Sequence, residues 1–290
     1  MKALPIIFIT LMIPLCIAAQ DELLAELQND TIEEELLSGT FKSSRLVLGQ
    51  TTQQMGKNEI QVRISHVFGR VTSGYQEFWG IDNVENVDIA LEYGISNNFQ
   101  LGLARSSDYD KTLQGSWKLA LVRQQSNRAP FLNLTYHGSM NVYTREYETD
   151  RDFKDRLEFV QQLIASHKLN NTFSFLVAPT YVHINQVPTD DHGNDLFSTG
   201  IGMSIRVTAS MRINTEYYYT FPTYSDDIWS ADRNALSFGL DLDTGGHVFQ
   251  ILLSNAKRIQ TSGFVPTWNN DRISDGHFHI GFSIMRSFNF

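Results

Sequence analysis

Cysteine is almost absent from this 290-residue chain: Cys16 is the only one. It falls in a stretch that reads as a removable leader, so the mature chain is expected to carry no thiol. Disulfides, thiolate metal sites and cysteine nucleophiles are thereby excluded. Long apolar runs are missing too. Beyond the leader nothing approaches the roughly eighteen apolar residues that a membrane-spanning helix needs. A basic surplus is also lacking. The net charge is −9; residues 1–40 set Lys2 against seven acids, a balance of −6, which leaves −3 for residues 41–290. Neither part offers the basic patch of a nucleic-acid binder, so no nucleic-acid partner is expected.

The N-terminus has a clear pattern. Lys2 precedes an apolar run from Ala3 to Ala19 broken by Pro5 and Pro14, with Ala18 and Ala19 just before Gln20. A positive start, an apolar middle and a small-residue end predict a secretory signal peptide over residues 1–20. Residues 21–58 read as an acidic periplasmic segment and possible plug. In it, DELLAELQNDTIEEELLS suggests a short amphipathic helix or a mobile acidic tail. Phe41 to Thr51, FKSSRLVLGQT, fits either a periplasmic arm or a piece that enters a barrel from below.

From Glu59 onward apolar and polar residues alternate between turn signals to the end of the chain. Ile60, Val62 and Ile64 alternate with Gln61, Arg63 and Ser65; Phe278, Ile280, Phe282 and Ile284 alternate with His279, Gly281 and Ser283. Twelve such segments are predicted. The connections alternate as well: tight turns at Gly94–Asn97, Leu169–Asn171, Thr208–Ser210 and Asp243–Gly246 come between long stretches such as 67–85, 143–154, 184–194, 221–233 and 256–276. Short turns at one end, long loops at the other and an even strand count predict an all-β, antiparallel up-and-down transmembrane barrel over residues 59–290, in the cell outer membrane. A soluble β-sandwich or lipocalin-like barrel has the same alternation turned inside out. The leader, the final Phe290 and the glycine- and serine-rich polar faces with opposed charges favour the membrane form.

Several stretches carry a resemblance together: Gly49-Gln50-Thr51, Arg63-Ile64-Ser65-His66, Ala178-Pro179-Thr180-Tyr181, Glu216-Tyr217-Tyr218-Tyr219, Leu236-Ser237-Phe238-Gly239, Thr244-Gly245-Gly246-His247 and His279-Ile280-Gly281-Phe282. Over about residues 40–290 the chain resembles a Bacteroidota family of outer-membrane β-barrels of unknown function, domain-of-unknown-function family 5777. The resemblance implies the barrel fold and transfers no substrate or catalytic residue.

The polar faces predict a lumen lined by Arg63, Asp88, Glu92, Lys118, Arg156, Glu158, Arg206, Arg212, Glu216 and Asp241. These charges can line a pore or cross-link into a plug, and both arrangements fit. His66, His277 and His279 approach one rim of the closing seam. His66 shares parity with Ile60 and Ile64, however, so loop hydrogen bonds explain them better than a metal. Thr189–Asp195 offers oxygen ligands but reads as a solvated loop, and Asp241–Gly245 as a glycine turn. His137 and Ser139 share a strand face that should look into the lumen, away from any lipid substrate, and no Gly-x-Ser-x-Gly elbow occurs. Trp79, Trp229 and Trp268 fall in external loops and Trp117 on a strand, as interfacial anchors or sugar-stacking rings. No cofactor, metal or enzymatic activity is expected. The expected partners are outer-membrane lipid, lipopolysaccharide and the barrel assembly machinery. The expected function is a narrow passive channel for small polar or ionic solutes. The alternatives are a closed-lumen barrel binding a partner or glycan through its loops and, behind it, an outer-membrane enzyme.

Overall fold

The computed structural model describes residues 39–124, 131–147, 151–189, 191–223 and 229–290; the expected leader, the acidic stretch 21–38 and Asp190 lie outside the described residues. Twelve strands follow one another: β1 (Glu59–Arg70), β2 (Val84–Ser96), β3 (Phe99–Ser106), β4 (Thr112–Val122), β5 (Asn133–Tyr143), β6 (Leu157–Lys168), β7 (Phe173–Ile184), β8 (Asp195–Arg206), β9 (Met211–Thr220), β10 (Ala235–Asp243), β11 (Val248–Ser254) and β12 (His279–Asn289). Each pairs antiparallel with its chain neighbours, and β1 pairs with β12, which closes the barrel as the sequence predicts.

Side-chain period decides which way the sheet faces. Ile201 on β8 is 58% exposed, whereas Arg63 and Lys118 are each 2% exposed and Asp88 is fully buried. Greasy side chains therefore line the outside and charged ones the inside, the inverse of a soluble domain. Closure also leaves no free sheet edge whose amides and carbonyls would meet hydrocarbon.

The connections 71–83, 144–156, 185–194, 221–234 and 255–278 are long and share one end with the short 107–111; the other end carries the tight turns 97–98, 169–172, 207–210 and 244–247 and one longer connection, 123–132. The first loop is shorter than the predicted 67–85. The β1–β2 ladder runs past the alternating residues, with the Gly69 amide bonding the Asn83 carbonyl at 2.8 Å. At the short-turn end the chain enters β1 over Gly94, whose carbonyl accepts from the Asn58 amide at 2.9 Å. A Cβ at Gly94 would overlap the Gly56 carbonyl. Only glycine allows this crossing.

Candidate functional site

The lumen contains two inserted pieces of chain, and the predicted site residues are best located relative to them. Residues 40–56 enter from the short-turn end. An Arg45–Gln50 bridge folds Leu46-Val47-Leu48-Gly49 into a tight tip, with the Leu46 amide on the Gly49 carbonyl at 2.9 Å. The tip is apolar and buried, and apolar wall residues receive it: Leu46 and Phe41 cluster with Ile164, Leu176 and Ala178, while Val47 and Leu48 join Val160, Val182, Leu196 and Leu252. Gly49 lies so close to Tyr218 that a Cβ there would run into the phenol ring.

Polar lumen side chains hold the backbone of this insert. The Glu216 carboxylate accepts the amides of Leu48 at 2.7 Å, Gly49 at 3.0 Å and Val47 at 3.2 Å. Lys118 Nζ donates to the Ser44 and Gln53 carbonyls at 2.7 and 3.1 Å. Gln250 donates to the Leu46 carbonyl at 2.7 Å, and Gln100 Oε1 accepts the Met55 amide at 2.7 Å. A tight turn has no strand partner for these groups, and a buried, unpaired amide or carbonyl is costly. The wall side chains replace the missing ladder.

The second insert is the β11–β12 connection, which folds in from the long-loop end. Its short helix Thr261–Phe264 is buried throughout. Phe264 packs edge-on against Tyr218 at 4.9 Å between centroids, and Thr220 Oγ1 donates to the Val265 carbonyl at 2.7 Å. Gln260 Nε2 donates to Asp88 Oδ2 at 3.2 Å. The two inserts touch: Arg45 Nη1 donates both to Leu48 O at 2.7 Å and to Ile259 O at 3.0 Å. At the long-loop end, Arg258 pairs with Asp110 at 2.7 Å, and Asp271 collects Arg70 at 2.7 Å, His279 at 2.9 Å and Lys257 at 3.4 Å.

Burial raises the Asp271 carboxyl, yet hydrogen bonds from His279 and Arg70 and the charges of Lys257 and Arg70 outweigh it and hold it well below the usual carboxylate range. A depressed pKa stabilises the fold above the unfolded-state value, and that contribution is lost only as pH falls through the folded value. The β11–β12 loop is therefore expected to keep its amide protection at about pH 4, where an ordinary carboxyl is half protonated. Hydrogen exchange should show that protection, and Asp271→Asn should lose it even at neutral pH. Wild-type loop amides that open near pH 4 would contradict the assignment.

Of the predicted lumen residues, Arg63, Asp88, Glu92, Lys118, Glu158, Glu216 and Asp241 are buried on the inner face. Arg63 pairs with Asp88 at 3.0 Å. Arg206 and Arg212 face each other at the short-turn end of β8 and β9, and Arg212 stands opposite Asp241. Glu216 serves the insert's amides. Arg156 needs correction: it ends the 3-10 turn Phe153–Arg156 ahead of β6, with Nε on the Arg151 carbonyl at 3.3 Å. Alternation in a loop just before a strand had extended the strand too far.

The histidines do not converge. His66 lies outside the barrel against Phe68 and Phe282, His279 is buried at the rim on Asp271 and the Phe68 carbonyl, and among the described residues no cluster of His, Cys, Asp and Glu could hold a metal. Asp195 of the Thr189–Asp195 run is taken by Tyr181 and His183. Gly245, at φ +81°, donates its amide to Asp243, so the Asp241–Gly245 stretch ends in a glycine turn. His137 and Ser139 both face the lumen and make no hydrogen bond to each other. Trp117 lies over Gly138 on the outer surface, and Trp268, placed in an external loop by the sequence, packs against the inserted core because its loop folds inward.

A family model described as a membrane-bound beta barrel domain, DUF5777, matches residues 41–288. No curated protein matches the chain. Among solved structures, the KdgM porin in complex with disordered oligogalacturonate is 8% identical with a TM-score of 0.49, covering 80% of this chain and 99% of that one. The NanC porin is 10% identical with a TM-score of 0.48, covering 80% and 100%. An outer membrane channel from Pseudomonas putida F1 is 10% identical with a TM-score of 0.47, covering 82% and 98%.

Proposed function

We propose, from the premise that this chain belongs to the family of membrane-bound beta barrel domains DUF5777, that it is a plugged outer-membrane conduit for small polar or ionic solutes. The observation that supports this reading is how the first insert is attached. Residues 40–56 precede β1, and the barrel closes through β1 and β12 without them. The insert can leave towards the periplasm without unpairing a strand. The wall it would uncover holds Glu92, Gln100, Gln114, Lys118 and Glu216, polar groups that water can solvate.

A second reading has its own support. The inner face also carries Val160, Ile164, Leu176, Val182 and Leu196, an apolar wall fitted to the inserts rather than to water. On that reading the lumen stays closed and the barrel acts through its long outer loops.

Planar-bilayer conductance separates the two. The full chain is expected to conduct little. The barrel lacking everything before Lys57 is expected to pass small ions, at least once residues 258–266 are also shortened. Silence of both truncated barrels, with folding intact, would remove the conduit and leave the closed barrel.

A further inference from the structure

We infer that the outer surface across β5 to β9 holds a specific site for an acyl lipid of the outer leaflet, with one chain in a groove and its ester or amide linkage bound by Gln161 and Thr199. The groove has a volume of about 380 Å³ and is walled by Tyr136, Leu163, Pro179, Tyr181, Phe197 and Phe221. It exists for a local reason. Pro179 has no amide to donate, and the β6–β7 ladder is interrupted between Gln162–Thr180 and Ala165–Val177, with the register unchanged on either side. The surface dips there between aromatic ridges.

The polarity of this patch identifies the occupant. Gln161 alternates with buried Val160 and Gln162, so its carboxamide points outwards, into a band otherwise filled by residues such as Ile201 and Leu163. Tyr136 donates its hydroxyl to Gln161 Oε1. The Gln161 amide hydrogens and the Thr199 hydroxyl have no hydrogen-bond partner among the described residues. Polar groups that face hydrocarbon without a partner are costly. A lipid carbonyl meets that need and belongs at this height, because the long-loop ends of β7 and β8 lie just above. There Asp195 accepts from Tyr181 at 2.5 Å and from His183 Nδ1 at 2.7 Å. The His183 ring, held by that carboxylate, stands at head-group level. The site is independent of whether the lumen conducts.

The test is native mass spectrometry of the full chain, reconstituted into phosphatidylethanolamine vesicles containing lipid A and then released into mild detergent. One lipid per barrel is expected to stay bound. Gln161→Leu with Thr199→Val removes both polar contacts and adds apolar surface suited to the bilayer, so folding should be kept while lipid retention falls roughly tenfold. Retention of no lipid, retention undiminished in the double variant, or a dimer mass with the groove covered by a second copy would each overturn the site.

Discussion

Glu216→Ala is expected to open the full-length barrel, raising its open probability in planar bilayers towards that of the truncated form. One carboxylate, 3% exposed, receives three successive backbone amides from the tip of the N-terminal insert. Alanine leaves all three donors inside the lumen without an acceptor. An orphaned buried donor costs about 1–3 kcal/mol, so even the low end gives roughly 3 kcal/mol against the inserted state. That corresponds to about a hundredfold shift between closed and open. The amides regain partners in water once the insert leaves, so the penalty falls on the closed state alone. Glu216→Gln keeps one acceptor oxygen and should shift the balance less. The β8–β9 and β9–β10 ladders do not involve this side chain, and heat-modifiable mobility should be unchanged. If Glu216→Ala stays as silent as the wild type while truncation opens the barrel, then Glu216 does not latch the insert.

The barrel was legible in the sequence because a two-residue period survives whatever lies inside the lumen. Strand number, parity and the alternation of tight and long connections all follow from the outer face meeting lipid. The inserts were less legible. Leu46-Val47-Leu48-Gly49 was readable as a piece entering from below, but an apolar tip of this length has no period to orient it. The signal that would have settled it lies in the strands. Val160, Ile164, Leu176, Leu196 and Leu252 are apolar at inward positions where alternation calls for polar ones. Such breaks mark where a lumen receives protein rather than water. The inward fold of 255–278 was hidden for another reason. Its anchors, Asp271 to Arg70 and Arg258 to Asp110, join distant parts of the chain, and ion pairs of that kind have no local pattern.

Asp88→Ala is expected to destabilise the barrel more than any substitution on its outer face. Asp88 is fully buried and Arg63 is 2% exposed; their charges meet at 3.0 Å, with Ser65 Oγ accepting from Arg63 Nη1 at 3.0 Å and Gln260 donating to Asp88 at 3.2 Å. Removing one partner of a buried pair strands the other charge away from water, at a cost of about 3–5 kcal/mol. The same change frees Gln260 and so loosens the β11–β12 insert. The pair itself need not be a large net gain, because desolvating two charges offsets much of their attraction. Arg63→Met with Asp88→Leu should therefore come much closer to wild type than Asp88→Ala alone. Urea midpoints of folding into lipid vesicles measure both, with the slope reporting whether the exposed surface has changed. A double variant as unstable as the single one would mean that the ion pair itself, not the cost of an uncompensated arginine, holds β1 and β2 around the insert.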